Sequence, residues 1–151
     1  MKKRTTSLPV YFLLAVAAFC QKGYFAKYQG MADSLEAVYQ IPSSVMLAVA
    51  YHESGGGVSR NAKLLNNHFG IVGKNNLLKT HGIKSKYRWF PSDTAGYVGF
   101  CNLIANKKFY PSLKGTTDPK KWVYALHRAG YCPASTWPGK VIGIIRTYKL
   151  M

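Results

Sequence analysis

Acidic side chains are scarce. The chain of 151 residues has five carboxylates, Asp33, Glu36, Glu53, Asp93 and Asp118, against 21 lysines and arginines, a formal charge of +16. That scarcity leaves few candidates for acid–base chemistry. A field of this sign attracts polyanions such as nucleic acid, anionic lipid or acidic cell-wall polymer. Basic residues recur along the whole chain, so charge alone does not separate a generally cationic surface from a dedicated groove. Cysteine is scarce too: Cys20, Cys101 and Cys132 include no Cys-x-x-Cys pair, which argues against a zinc ribbon or a dithiol redox centre. The four histidines form no His-Glu-x-x-His motif, and Gly55-Gly-Gly57 lacks the lysine and spacing of a phosphate-binding loop. No metal or cofactor is expected. The longest apolar run, Val10 to Phe19, is too short to span a bilayer comfortably.

Apolar content, by contrast, is ample. At 48% hydrophobic and 14% aromatic residues the chain can offset the entropy of ordering, and its length fits a single domain. The start reads Met1-Lys-Lys-Arg-Thr-Thr-Ser-Leu-Pro9, then the short apolar run with Ala15, Ala17 and Ala18, which is the pattern of an export signal. Residues 1–22 are therefore expected to be a signal or membrane-proximal apolar segment, and residues 23–151 the working domain. Phe19 stands before Cys20, where a lipoprotein would need a small residue. If Cys20 leaves with the signal, Cys101 and Cys132 could bridge in an oxidising compartment, or remain two buried thiols.

From Phe25 to Tyr39 apolar residues fall at spacings of three and four, which predicts an amphipathic helix. Pro42 suits the first turn of a second helix over about 42–53. Val45 to Ala50 make that helix apolar nearly all round, so it should be buried. Gly55 ends it. A short helix over 59–65 follows. Between residues 71 and 90, turn signals at Lys74-Asn75-Asn76 and His81-Gly82 separate runs in which Ile83, Ser85, Tyr87 and Trp89 alternate with Lys84, Lys86 and Arg88, a pattern that predicts a β-hairpin with one basic face. Further helices open at Ser92 or Asp93, at Asp118-Pro119 and at about Trp137. The expected fold class is α+β, mainly helical with an inserted hairpin.

Glu53 is the carboxylate to explain. It lies in the last turn of the apolar helix, just before the glycine string, and no other acid occurs between Glu36 and Asp93. Partial desolvation and the negative end of the helix both favour a neutral carboxyl, the form that donates a proton.

Several blocks in order, Ile41-Pro-Ser-Ser-Val-Met-Leu-Ala-Val-Ala-Tyr-His-Glu-Ser-Gly55, Asn66-Asn-His-Phe-Gly-Ile71, Trp89-Phe-Pro-Ser-Asp93, Ala129-Gly-Tyr131 and Ile144-Ile-Arg-Thr-Tyr-Lys-Leu150, resemble glycoside hydrolase family 73, the bacterial glucosaminidase domains of autolysins and flagellar muralytic proteins. The resemblance covers about residues 24–150. It implies a lysozyme-like fold and cleavage of the β-1,4 bond after N-acetylglucosamine in peptidoglycan. It further implies that Glu53 is the general acid and that Tyr131 stands beside the reacting sugar. Asn67 and Phe69 match the block that lines the cleft, while Trp89 and Tyr110 are candidate sugar-stacking platforms.

One departure matters. Many members of that family carry a second carboxylate in the hairpin, whereas Ser54 to Ser92 contains none. Paired-carboxylate glycosidases need the second group roughly 5 to 9.5 Å from the acid. Asp93 reads better as a helix cap. Three routes stay open: attack by the substrate's own N-acetyl oxygen, a lytic transglycosylase closing through the muramic acid 6-hydroxyl, or a silent glycan-binding domain. A basic nucleic-acid module is the rival from another class, although the motif blocks speak against nucleic acid as partner. The expectation is an exported, monomeric enzyme of the periplasm or cell envelope, in transient contact with an anionic surface.

Overall fold

The computed structural model describes residues 10–151, with side chains from residue 23. The expected export segment, residues 1–22, lies outside the residues whose side chains are described. Eight helices follow in chain order: α1 (Val10–Tyr39), α2 (Ser43–Ser54), α3 (Arg60–Leu65), α4 (Leu77–His81), α5 (Asp93–Ala105), α6 (Tyr110–Leu113), α7 (Pro119–Arg128) and α8 (Trp137–Thr147). No helix among the described residues is long and apolar enough to cross a membrane.

α2 is the centre of the packing. Val45, Met46, Leu47, Ala48, Val49 and Ala50 have no exposed surface at all, as an all-round apolar helix requires. It is surrounded by α1, α7 and α8. Fully burying each of its larger side chains contributes about 1.5–3 kcal/mol, so this helix anchors the core. Its start is capped from α1, where Glu36 Oε2 accepts the Ser43 N–H at 2.8 Å. Its end is a left-handed glycine: Gly55, Gly56 and Gly57 all have positive φ, and the Gly56 N–H reaches back to the Tyr51 carbonyl at 2.8 Å. Ser54 Oγ then accepts the Gly57 N–H at 2.8 Å, fixing the turn that follows Glu53.

The expected β-hairpin is not formed. Among the described residues the β-structure is one isolated antiparallel bridge, Val72 to Tyr87. The two runs do lie antiparallel, with Arg88 N–H bonded to the Ile71 carbonyl and Gly73 N–H to the Lys86 carbonyl. Asparagine side chains replace the rest of the ladder. Asn75 Nδ2 donates to the Ser85 and Tyr87 carbonyls, and its Oδ1 accepts the Leu77 N–H, which starts α4 where a turn was expected. The alternation holds as burial, with Ile83, Ser85 and Tyr87 more covered than Lys84, Lys86 and Arg88, but fails at Trp89, which is 48% exposed.

The inserted segment is locked to α5 by close backbone approach. Asn66, itself at φ 50°, donates from Nδ2 to the Phe90 carbonyl at 2.8 Å. A Cβ at Gly96 would stand 2.3 Å from the Asn66 carbonyl oxygen, so only glycine lets the loop and helix meet. Gly96→Ala should therefore cost about 1–3 kcal/mol of stability in urea unfolding, whereas Gly143→Ala in α8, which meets nothing within 4 Å, should leave stability unchanged or raise it by about 0.5–1 kcal/mol. Equal effects of the two would refute the close-approach account.

Candidate active site

Glu53 emerges where α2 runs out of cover. Its Oε1 accepts a 2.8 Å hydrogen bond from the indole N–H of Trp137, the first residue of α8. Trp137 is 1% exposed, so the donor is held by packing. Oε2 lies beside Gly70, where a Cβ would stand 3.8 Å away. The carboxylate opens into a cleft of about 540 Å³ lined also by Phe69, Gly70, Tyr87 and Tyr131.

Tyr131 reaches the cleft from the loop after α7. Gly130, at φ 77°, turns the chain so that the Tyr131 N–H bonds the Leu126 carbonyl at 3.0 Å. The phenol then donates to the Phe69 carbonyl at 2.7 Å and its ring lies 5.5 Å from that of Trp137. Burial, helped by the adjacent Glu53 carboxylate, holds this phenol well above its ordinary pKa, so it stays protonated. His127 braces the same loop, its Nδ1–H donating to the Cys132 carbonyl at 2.8 Å while its ring stacks on Trp137.

The remaining candidates separate. Asn67 is 1% exposed and all its amide capacity is internal: Nδ2 donates to the Ile71 and Arg88 carbonyls and Oδ1 accepts the Ile71 N–H. It ties the Asn66–Gly70 block to the backbone of Ile71 and Arg88, two residues beside the cleft. Phe69 is buried and stacked on Phe100 at 4.1 Å, yet it contributes to the cleft wall. Trp89 lines a separate hollow with Lys74, Asn75 and Asn76. Tyr110 packs on Trp122 and donates its hydroxyl to the Tyr39 carbonyl, away from the residues around Glu53. Cys101 and Cys132 are free. Burial pushes the Cys101 thiol up to about 12, and it lies 3.4 Å from the Met46 sulfur. Among the described residues no group of His, Cys, Asp or Glu could hold a metal.

His68, between Asn67 and Phe69, went unnoticed in the sequence. Its Nε2 donates to Asp93 Oδ1 at 3.1 Å and its Nδ1 faces the Tyr24 hydroxyl at 3.0 Å, which meets Tyr97 at 3.1 Å. Asp93 Oδ2 accepts from Tyr28 and Lys27. The cap of α5 is Ser92, not Asp93. A neutral His68 suits this network, with Nδ1 accepting from Tyr24 while Nε2–H donates to Asp93. Burial indeed lowers its pKa, more than Asp93 raises it, while the hydrogen bonds from Tyr28 and His68 hold Asp93 below the carboxylate range against the opposing effect of burial. The network clamps α1, the Asn66–Gly70 block and α5 behind the cleft.

Solved structures sharing this fold include an autolysin catalytic domain, a glycoside hydrolase domain and a peptidoglycan hydrolase. The catalytic domain of the autolysin Auto from Listeria monocytogenes superposes with TM-score 0.72 at 23% identity, covering 98% of both chains. The truncated glycoside hydrolase domain of FlgJ from Salmonella typhimurium gives 0.70 at 21% identity, over 87% of this chain and 99% of that one. A peptidoglycan hydrolase from Sphingomonas sp. A1 gives 0.69 at 20% identity, over 85% and 90%. A search of curated protein sequences finds no match. Residues 21–150 match the glucosaminidase family, described as mannosyl-glycoprotein endo-β-N-acetylglucosaminidase, and the chain belongs to that family.

The neutral His68 has a measurable consequence. A group whose pKa is lower folded than unfolded binds fewer protons in the native state, so its contribution is present above the unfolded value and is lost as pH falls toward the folded one. Urea midpoints should fall as pH drops below about 6.5, the unfolded histidine value, and His68→Gln should flatten that step. An unchanged slope in the variant would assign the effect elsewhere.

Proposed function

We propose that this glucosaminidase is an exported peptidoglycan hydrolase, an endo-β-N-acetylglucosaminidase that cleaves the β-1,4 bond after N-acetylglucosamine, with Glu53 as general acid. The observation that carries the reading is that Glu53 is the one carboxylate lining the cleft. The other four side-chain carboxylates are occupied elsewhere: Asp33 by Gln29, Glu36 by the start of α2, Asp93 by the His68 network and Asp118 by the cap of α7. Residues 1–22 would deliver the domain to the envelope.

A single carboxylate suits substrate assistance. Glu53 protonates the glycosidic oxygen as the bond to the anomeric carbon breaks, and the sugar's acetamido carbonyl oxygen attacks that carbon to give a bicyclic oxazolinium. Glu53, now ionised, takes a proton from the water that reopens the ring. Tyr131 donates its own proton to Phe69, which leaves its oxygen lone pairs to accept the acetamido N–H and turn the carbonyl toward the anomeric carbon. Trp137 positions the acid through Oε1 and leaves Oε2 for the substrate. The second reading, a lytic transglycosylase, rests on the same lone carboxylate and differs in product.

Digestion of purified sacculi followed by mass spectrometry of the ends tests this. Wild type should yield reducing N-acetylglucosamine, and Glu53→Gln should lose roughly 10²–10⁴-fold in rate. Anhydromuramic ends would select the transglycosylase, and no product from wild type would remove both. Trp137→Phe should fold and lower kcat about tenfold with KM little changed, as loss of one orienting hydrogen bond implies. A change confined to KM would instead make the indole a substrate contact.

A further inference from the structure

The cleft around Glu53 does not end there. It shares Ile71, Val72, Leu103 and Lys107 with a larger groove of about 910 Å³ that runs along α5, so the two form one trough with an apolar floor. Apart from Glu53, the charged side chains lining this trough are Lys86, Arg88 and Lys107, all cations. None takes part in an ion pair among the described residues, where the salt bridges all fall on Asp93. Arg88 and Lys86 are held in place without being neutralised. The Arg88 guanidinium lies 5.0 Å from the Phe90 ring centroid and the Lys86 ammonium 5.7 Å from that of Tyr87. Gly73 makes room for the arginine stem, since a Cβ there would stand 2.8 Å from Arg88 Cβ. Lys107 sits on the opposite wall, past the end of α5, where the two hollows join.

A neutral polysaccharide has no use for three unpaired cations. Its rings need apolar and hydrogen-bonding surface, which the trough already supplies. We propose that Lys86, Arg88 and Lys107 bind the carboxylates of the peptide that a peptidoglycan strand carries on its muramic acid, and so make the enzyme prefer peptide-bearing strands to bare glycan. The inference rests on the peptidoglycan reading above and adds the part of the substrate that sets specificity. Guanidinium and ammonium groups on two walls meet carboxylates borne outward from a strand lying on the floor, by charge-assisted hydrogen bonds that weaken as salt screens them. The effect belongs to binding, since the cations touch the substrate away from the bond that breaks.

The test compares intact glycan strands with the same strands stripped of peptide by an amidase and then coupled to methylamine at the lactyl carboxylate that stripping exposes, so that they carry no charge, for wild type and for Lys86→Gln/Arg88→Gln/Lys107→Gln. Wild type should show a KM about tenfold lower on peptide-bearing strands, a gap that narrows between 50 and 300 mM salt by roughly the screening expected of surface charges. In the triple variant the ratio of the two KM values should fall to one, a readout that overall loss of folded enzyme does not move. Equal KM values for wild type on both strands, or a ratio preserved in the variant, would overturn the inference while leaving the hydrolase reading intact. Cleavage of neither strand by wild type would bring down both.

Discussion

The structure depends on burying α2. A twelve-residue helix with no polar face cannot lie on a surface, so α1, α7 and α8 must close around it, and the chain can use only its last turn for anything else. That turn is where the cover stops. Glu53 is consequently delivered to a cleft at a position set by core packing rather than by a loop, and the left-handed glycines directly after it let the chain leave without blocking the opening. The indole of Trp137 comes from α8, one of the same covering helices, so the element that buries the helix also orients its carboxylate.

Much of this was legible in the residues. The fully apolar stretch Val45–Ala50 announced a central helix, Gly55 announced its end, and the single acid between them is the one that opens into the cleft. The insertion was less legible because its signals conflict. Alternation from Ile83 to Trp89 is a strand pattern, but Asn67 and Asn75 satisfy carbonyls that strand partners would have taken, and side-chain amides leave no periodic trace. The same blindness applies to His68 and Trp137. Each acts through long-range hydrogen bonds, and nothing local distinguishes His68 from any histidine or Trp137 from any residue opening a helix. Tyr110 and Trp89 show a related limit: an aromatic side chain advertises stacking, but only the fold decides whether it faces the cleft, the core or open solvent.

The acid shortage and the cationic trough belong together. As the glycosidic bond breaks, positive charge grows at the anomeric carbon, and a second carboxylate would ordinarily stand close enough to steady it. On the proposed substrate-assisted route the acetamido oxygen would supply that stabilisation by bonding, and Glu53 would contribute its own charge once its proton has gone. Lys86 and Lys107 line the same cleft and cannot take that role, since a cation does not steady growing positive charge. A neutral strand would leave them unpaired. A strand whose peptide carboxylates sit against the lysines pairs them, so the proposed substrate brings the anions that this chain, Glu53 apart, does not place in the cleft.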